Sequence, residues 1–154
     1  MLAVGVSRRF RTIVVALLLT IYGCGERGRN KYSTTESRLS KLGLSYGLYV
    51  GRHDGRLPSD IEALRNHVKQ SIKPEQLEAL GVVAADELFI SGRDGKPFVM
   101  VTYNRVPPPS ESGQPPVVLY EQVGDKGQRF IAFLGGGVEE VDDERFRELV
   151  RPEP

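Results

Sequence analysis

The hydrophobic pattern of this chain changes near residue 88, from helical spacing to short runs of strand-forming residues. Before that point, Leu39, Leu42, Tyr46 and Tyr49 recur at steps of three and four, which places them on one face of a helix. After it come short runs rich in β-branched and aromatic residues: LFIS, FVMVTY, VVLYEQ and RFIAFL. Helices followed by strands with short turns predict a segregated α+β domain built on an antiparallel sheet.

The helical half contains start and stop signals for three helices. Residues 33–36 (Ser-Thr-Thr-Glu) have the spacing of a capping box and predict the start of the first helix. A second capping box at residues 59–62 predicts a short amphipathic helix, whose inward residues are Ile61, Leu64 and Val68. Pro74 suits the first position of a third helix, and Gly81 suits its end.

Three glycines, Gly43, Gly47 and Gly51, recur every four residues along the first helix. In a membrane this spacing would indicate close pairing of helices, but the same helix carries Arg38 and Lys41. The pattern instead predicts a thin helix face against which another element packs closely. Each glycine costs the helix about 1 kcal/mol relative to alanine.

The second half is predicted to form about four to five short strands and a C-terminal helix. GRDGKP and VGDKGQ read as turns, the second within a hairpin, and GGG makes a tight turn before a closing strand, VEEV. Asp142 or Asp143 is expected to cap the last helix, which runs to about Val150. Its inward residues are predicted to be Phe146, Leu149 and Val150.

Residues 104–116 are rich in proline around a Ser-Glu-Ser-Gly centre. Proline lacks the N–H that a strand ladder needs, and the centre has little apolar surface to bury. We therefore expect an exposed loop that tolerates shortening.

The amino terminus has the layout of an export signal. A basic head (Arg8, Arg9 and Arg11) precedes an apolar run of roughly ten residues, which is shorter than the about 20 residues that span a bilayer. The run ends at Ile21-Tyr22-Gly23-Cys24, and Cys24 is the only cysteine of the 154 residues.

This segment resembles the lipobox of bacterial lipoproteins, although Tyr22 stands where a small residue is usual. The resemblance implies cleavage between Gly23 and Cys24 and lipidation of Cys24, and two or more acyl chains anchor a protein firmly. The expected organisation is a signal peptide at 1–23, a lipidated cysteine with a polar tether at 24–32, and a single domain at 33–154. The expected location is the cell envelope, anchored by lipid and facing the periplasm or the exterior.

The composition limits the classes of partner that such a domain can bind. The chain carries 21 Lys and Arg against 20 Asp and Glu, so it has no excess of basic charge for binding nucleic acid. If Cys24 is lipidated, no thiol remains for a disulfide, and the core alone must hold the domain in an oxidising compartment. The expected partners are the membrane, through the anchor, and another envelope protein or a surface polymer.

Residues with catalytic or metal-binding chemistry are sparse. The two histidines, His53 and His67, match no zinc-binding spacing, and His67 reads as a surface residue of a helix. His53 with Asp54, and Asp142 with Asp143, are weak metal candidates, but the sequence favours a turn for the first pair and an acidic helix start for the second. No Gly-x-Ser-x-Gly elbow is present. The sequence therefore predicts no catalytic residue, no metal and no cofactor.

Three stretches together resemble the globular heads of type II secretion pseudopilins. In the first, LGLSYGLYVGRHDGRLPSDIEAL, a helix ends in a turn where Asp54, Gly55 and Pro58 match the pseudopilin pattern. The second is the turn and strand SGRDGKPFVMVTY, and the third is RFIAFLGGGVEEVDDERFREL, which is similar to a closing strand, glycine turn, strand and helix. Small uncharacterised bacterial lipoproteins share this order. The resemblance, which covers about two thirds of the chain, implies a pseudopilin-like (prepilin-like) head.

The sequence departs from pseudopilins at its amino terminus. It lacks their cleavage site and the long apolar helix that builds their filaments, and a lipobox stands in that place. We therefore expect a lipid-anchored, non-enzymatic binding or structural module that does not polymerise. The alternatives are a small envelope hydrolase and a metal- or solute-binding protein, for which a cavity with converging polar groups would be the mark.

Overall fold

The structure, a computed structural model, describes residues 31–110 and 112–150, with side chains described from residue 34 onward. The predicted signal peptide, its cleavage site and Cys24 lie outside the described residues. Among the described residues, no helix is long and apolar enough to cross a membrane. The elements in chain order are α1 Lys31–Arg52, α2 Ile61–Ser71, α3 Pro74–Ala79, a 3₁₀ helix Ala85–Phe89, β1 Phe98–Met100, β2 Val117–Glu121, β3 Gln128–Phe133, β4 Val138–Asp142 and α4 Asp143–Leu149.

The four strands form one antiparallel sheet in which each strand pairs with the next along the chain, in the order β1-β2-β3-β4. The register places Val99 opposite Tyr120, and Tyr120 opposite Ile131. An irregularity in β2 between Val117 and Leu119 shifts the register there. The predicted α+β class, with helices first and an antiparallel sheet after, is confirmed.

Helices cover both faces of the sheet. On one face lies α1, whose Leu39, Leu42 and Tyr46 are buried in a core shared with α2 and the 3₁₀ helix. On the other face lies α4, where Phe146 packs on Ile131 and Val141 in a second, smaller core. Successive residues of a strand point to opposite faces, and β3 accordingly contributes to both cores. The predicted inward faces of the first and last helices are confirmed.

The glycine face of α1 receives the turn between β3 and β4. A Cβ on Gly43 would lie 2.7 Å from the carbonyl oxygen of Phe133, and Gly136 of the turn, at a φ of +95°, lies against the same stretch of helix. The hydroxyl of Ser40 donates to the carbonyl of Gly136 at 2.7 Å. The predicted close approach is thus confirmed at Gly43, whereas Gly51 has no atom within 4 Å of its Cβ position.

The short helices begin and end near their predicted positions, with one change of cap. The N-cap of α2 is Asp60, whose carboxylate accepts from the amide of Ala63 at 2.8 Å, so the prediction of a Ser59 cap was wrong by one residue. Pro74 is the first residue of α3, as predicted, and Gly81 follows the helix with a φ of +67°. Asp142 caps α4 by accepting from the amide of Arg145.

Three local predictions were wrong. The first helix begins at Lys31, two residues before the start predicted at Ser33. LFIS is not a strand: Leu88 and Phe89 belong to the 3₁₀ helix and are buried in the larger core, and only Ile90 forms a bridge, to Pro97. FVMVTY is a strand only from Phe98 to Met100, although the amide of Val101 still donates to the carbonyl of Val118 at 3.0 Å.

Candidate functional site

The most buried charged group of the described residues is the carboxylate of Glu121, near the end of β2. Its side chain is 0 % exposed. One oxygen accepts from the hydroxyl of Ser91 at 2.7 Å, and the other accepts from the amide of Phe130 at 2.9 Å. The same second oxygen pairs with the guanidinium of Arg93. Buried carboxylates are stable only when paired and hydrogen-bonded in this way.

Arg93 comes from the GRDG turn and links Glu121 to the sheet edge. Its guanidinium also pairs with Glu140 of β4, donates to the carbonyl of Gln128 at 2.9 Å, and lies 4.5 Å from the ring centroid of Phe130. Burial alone would lower the pKa of Arg93, but the hydrogen bonds that it donates to Glu140 and Glu121 outweigh this effect and hold the pKa above its ordinary value. The arginine therefore stays charged.

We call Ser91, Arg93, Glu121 and Glu140 the ionic cluster. Within it, the Ser91 oxygen donates to Glu121 and accepts from the amides of Arg93 and Asp94 at 3.0 and 3.3 Å. A serine held in this way is buried and committed to the protein's own groups, so it is poorly placed to attack a substrate. The cluster fixes the turn at residues 91–96 to three strands of the sheet.

Sequence analysis missed the ionic cluster, because GRDG was interpreted as an ordinary turn. A signal was present in β2. Leu119 and Glu121 are two residues apart in a strand and so share a face, and that face is the apolar one. An acid at a core-facing position of a strand requires a buried cation or several donors.

The two histidines lie together where the end of α1 meets α2. The ring of His53 stacks on Tyr49 with centroids 4.0 Å apart, and His67 lies edge-on, 5.3 Å from Tyr49 and 6.2 Å from His53. Nδ1 of His53 donates to the carbonyl of Tyr49 at 2.8 Å. His67 is only 8 % exposed, so its interpretation as a surface histidine was wrong.

The weak metal candidates are not brought together. Asp54 occupies the turn after α1 at a φ of +53°, Asp142 caps α4, and Asp143 pairs with Arg129 at 2.5 Å. Across residues 31–110 and 112–150, no group of three or more His, Cys, Asp or Glu side chains is placed to hold a metal ion. Within that part of the chain, the four candidates therefore belong to no site with three or more such ligands. They are His53, Asp54, Asp142 and Asp143.

A recess of about 350 Å³ lies beside α4, on the sheet face opposite α1. The helix packs on β4 and reaches β2 through Phe146, whose ring meets Tyr120 edge-on at 4.9 Å. The space next to this contact is open to the surface. Its walls are mainly apolar, with hydroxyls on Thr102 and Tyr120, and the lining residues are Met100, Val101, Thr102, Tyr120, Phe146 and Val150.

A second recess, of about 220 Å³, is lined by the proline loop and by the end of α4. The two recesses share no lining residue, but both are bordered by residues at the carboxyl-terminal end of α4, Leu149 in one and Val150 in the other. We call the two recesses together the α4 groove. Its second half is walled by prolines of the loop, among them Pro107 and Pro108. The hydroxyl of Tyr103 donates to the carbonyl of Val117 at 2.7 Å and holds the base of the loop against β2.

A third recess lies on the outer face of α1 and is bordered by Glu36, Ser40 and Leu44. None of the three recesses is lined by His53 or Asp54. The arrangement that would favour a hydrolase, a cavity holding His53, Asp54 and a further acid, is therefore not formed by these recesses. The α1 recess is lined mostly by polar side chains, whereas the α4 groove is lined mainly by apolar ones.

No family model, no curated protein and no solved structure matches this chain. The resemblance to pseudopilin heads and to bacterial lipoproteins therefore stays a prediction from the sequence.

Proposed function

We propose that this protein is a lipid-anchored, non-catalytic module of the cell envelope that binds an extended, apolar segment of another envelope protein. The observation that carries the proposal is the α4 groove. It combines aromatic and proline side chains, and surfaces of this kind accept extended and polyproline segments. The prolines also limit the conformational entropy that the loop loses on binding.

The chemistry of the polar groups supports a binding role over a catalytic one. The ionic cluster commits its donors and acceptors to internal contacts, and it lies outside the lining of the α4 groove. The only charged side chain among the groove's lining residues is Glu148, which already pairs with Arg145 at 3.0 Å. Apolar contact therefore dominates what this surface can offer.

The proposed anchor is Cys24, and the proposed setting is the periplasmic or outer face of a membrane. The proposed relation to pseudopilins is one of shape alone, since filament growth needs an apolar N-terminal helix. In this chain the described part of α1 carries Glu36, Arg38 and Lys41, and burial of such charges against a neighbour without partners would cost several kcal/mol each.

The binding proposal is tested with a phage-displayed library of random peptides, selected on the full chain purified in detergent. We expect enrichment of peptides with alternating apolar, aromatic or proline residues. The variant Thr102→Trp fills the groove from an exposed position and should abolish binding of those peptides. Val83→Trp is the matched control, because Val83 is 91 % exposed and lies outside the groove.

Selected peptides that bind Thr102→Trp as tightly as the wild type would overturn the groove as the binding surface. Selection of only charged peptides, or binding only of an anionic surface polysaccharide used as competitor, would overturn the apolar partner. The anchor is tested separately by labelling cells with a radioactive fatty acid. The wild type should incorporate the label and Cys24→Ala should not, and equal labelling of the two would contradict lipidation.

A further inference from the structure

The contact between the end of α1 and α2 contains a buried histidine without a hydrogen-bond partner for one ring nitrogen. Nε2 of His67 is shielded from solvent and has no partner among the described residues. Around it lie the rings of Tyr49, from α1, and His53, from the turn that follows α1. A buried polar nitrogen without a partner is tolerated far better on a neutral ring than on a charged one.

Both neighbours whose charge affects the pKa of His67 are basic. Burial lowers this pKa, and Arg52 at the end of α1 and His53 in the turn after it lower it further. The acids of α2 and of the 3₁₀ helix are engaged elsewhere. Asp86, of the 3₁₀ helix that also packs on α2, pairs with Arg65 and Lys69 at 3.1 and 2.9 Å, and Glu62 pairs with Arg65 at 3.3 Å. The other acid of the 3₁₀ helix, Glu87, accepts from the amide of Ala84.

We propose that this contact is an acid-sensitive latch, in which α2 is docked on α1 while the His67 ring is neutral and is released when the ring is protonated. Release follows because an imidazolium there would be buried beside Arg52, with no hydrogen-bond partner for Nε2 among the described residues. Release would expose the apolar face of α2, which includes Leu64 and Val68, and the surface of α1 against which this face packs.

The sign of the pH effect follows from the environment of the ring. Free histidine has a pKa of about 6.5, so above that pH His67 is neutral in the docked and released states alike. As the pH falls below about 6.5, the released state takes up the proton more readily than the docked state. Docking therefore weakens with acidification and stops weakening once both states are protonated.

Hydrogen exchange of the full chain in detergent measures the latch directly. The amides of α2 are compared with those of β3 in the same sample, at about pH 7.5 and about pH 5, on either side of the ordinary histidine pKa. The ratio cancels the intrinsic pH dependence of exchange. We expect the α2 amides to lose protection several-fold relative to β3 at the lower pH, and we expect His67→Phe to remove this loss.

A second, exposed variant keeps the test decisive if His67→Phe fails to fold. Arg52→Gln removes one positive neighbour from an exposed position, so it should raise the midpoint of the His67 ring titration, followed by nuclear magnetic resonance. Arg56→Gln, in the exposed turn that follows, is the matched control and should leave the midpoint where it is. A His67 midpoint at or above about 6.5 in the wild type would overturn the latch. Equal pH dependence of α2 exchange in the wild type and His67→Phe would do the same.

Discussion

At the scale of single residues, Glu121 connects parts of the chain that are distant in sequence. Its carboxylate accepts hydrogen bonds from the Ser91 hydroxyl and the Arg93 guanidinium, which belong to one turn, and from the Phe130 amide of the neighbouring strand. A buried ion pair adds little stability compared with apolar residues of the same shape, but losing one partner leaves an uncompensated charge. The ionic cluster therefore matters most for the position of the turn at residues 91–96.

Replacing Glu121 by glutamine should destabilise the fold by about 3–5 kcal/mol, because Arg93 stays buried and loses its main counter-charge. The matched control is Glu140→Gln, which removes the other carboxylate of the same arginine. Its side chain is 39 % exposed, so we expect a cost of about 1 kcal/mol or less. Denaturant unfolding measures the free energy of unfolding of both variants. Similar losses of stability would show that burial of the Arg93–Glu121 pair does not add to the cost.

Tyr46 provides a second test at the residue scale. Burial raises the pKa of Tyr46 to about 12, and the nearby Tyr103 adds to the effect. Since a free phenol ionises at about pH 10, the contribution of Tyr46 to stability is complete below about pH 10 and is lost as the pH rises through about 12. Phenolate absorbance should show a late phase that Tyr46→Phe removes. A denatured sample is the control, and a late phase that survives the substitution would contradict the assignment.

At the scale of elements, the docking of α1 on the turn between β3 and β4 depends on the absence of a side chain at Gly43. Gly43→Ala should destabilise by about 1–3 kcal/mol despite the better helix propensity of alanine, because the new Cβ would meet the Phe133 carbonyl. Gly51→Ala on the same helix meets no atom within 4 Å and should stabilise by up to about 1 kcal/mol. Thermal unfolding decides between opposite signs, and two stabilising substitutions would refute the close contact.

The inward face of α1 gives a further test of the same element. Leu42→Ala should cost about 2–5 kcal/mol, as expected for a leucine that is 0 % exposed in the core. Leu44→Ala, two positions along the helix, should change the free energy of unfolding by about 0.5 kcal/mol or less, because Leu44 is 45 % exposed. A Leu42→Ala variant as stable as the wild type would contradict the packing of α1 on the sheet.

The elements divide into those that local sequence determines and those that tertiary contacts determine. The inward residues of α1 and α4, the hairpin turn and the glycine contact follow from spacing and turn chemistry, and they were predicted. LFIS was not, because Leu88 and Phe89 form a 3₁₀ helix that packs on α1 and α2, and this packing outweighs the strand propensity of the run. The ionic cluster and the buried His67 join residues far apart in the chain, and single-sequence periodicity carries no information about such pairing.

At the scale of the whole molecule, stability and binding are assigned to different surfaces. The larger core lies between the sheet and the helices α1 and α2, whereas the α4 groove lies on the opposite face, beside the smaller core. Changes in the groove's outer wall should therefore affect a partner more than the fold. The proline loop is the part of the wall where this separation is easiest to measure.

The loop should tolerate shortening at its tip. Ser110 and Gln114 are already joined there, since the amide of Ser110 donates to the carbonyl of Gln114 at 2.9 Å, so deletion of residues 111–113 leaves ends that are close in space. The base of the loop is held to the sheet, because the amide of Leu134 donates to the carbonyl of Pro116.

We expect the deletion to lower Tm by at most a few degrees and to leave peptide binding intact. The double variant Pro107→Gly with Pro108→Gly should instead keep the fold and weaken binding. A large fall in Tm after the tip deletion would show that the tip belongs to the core, and unchanged binding by the double glycine variant would remove the loop from the groove's binding wall.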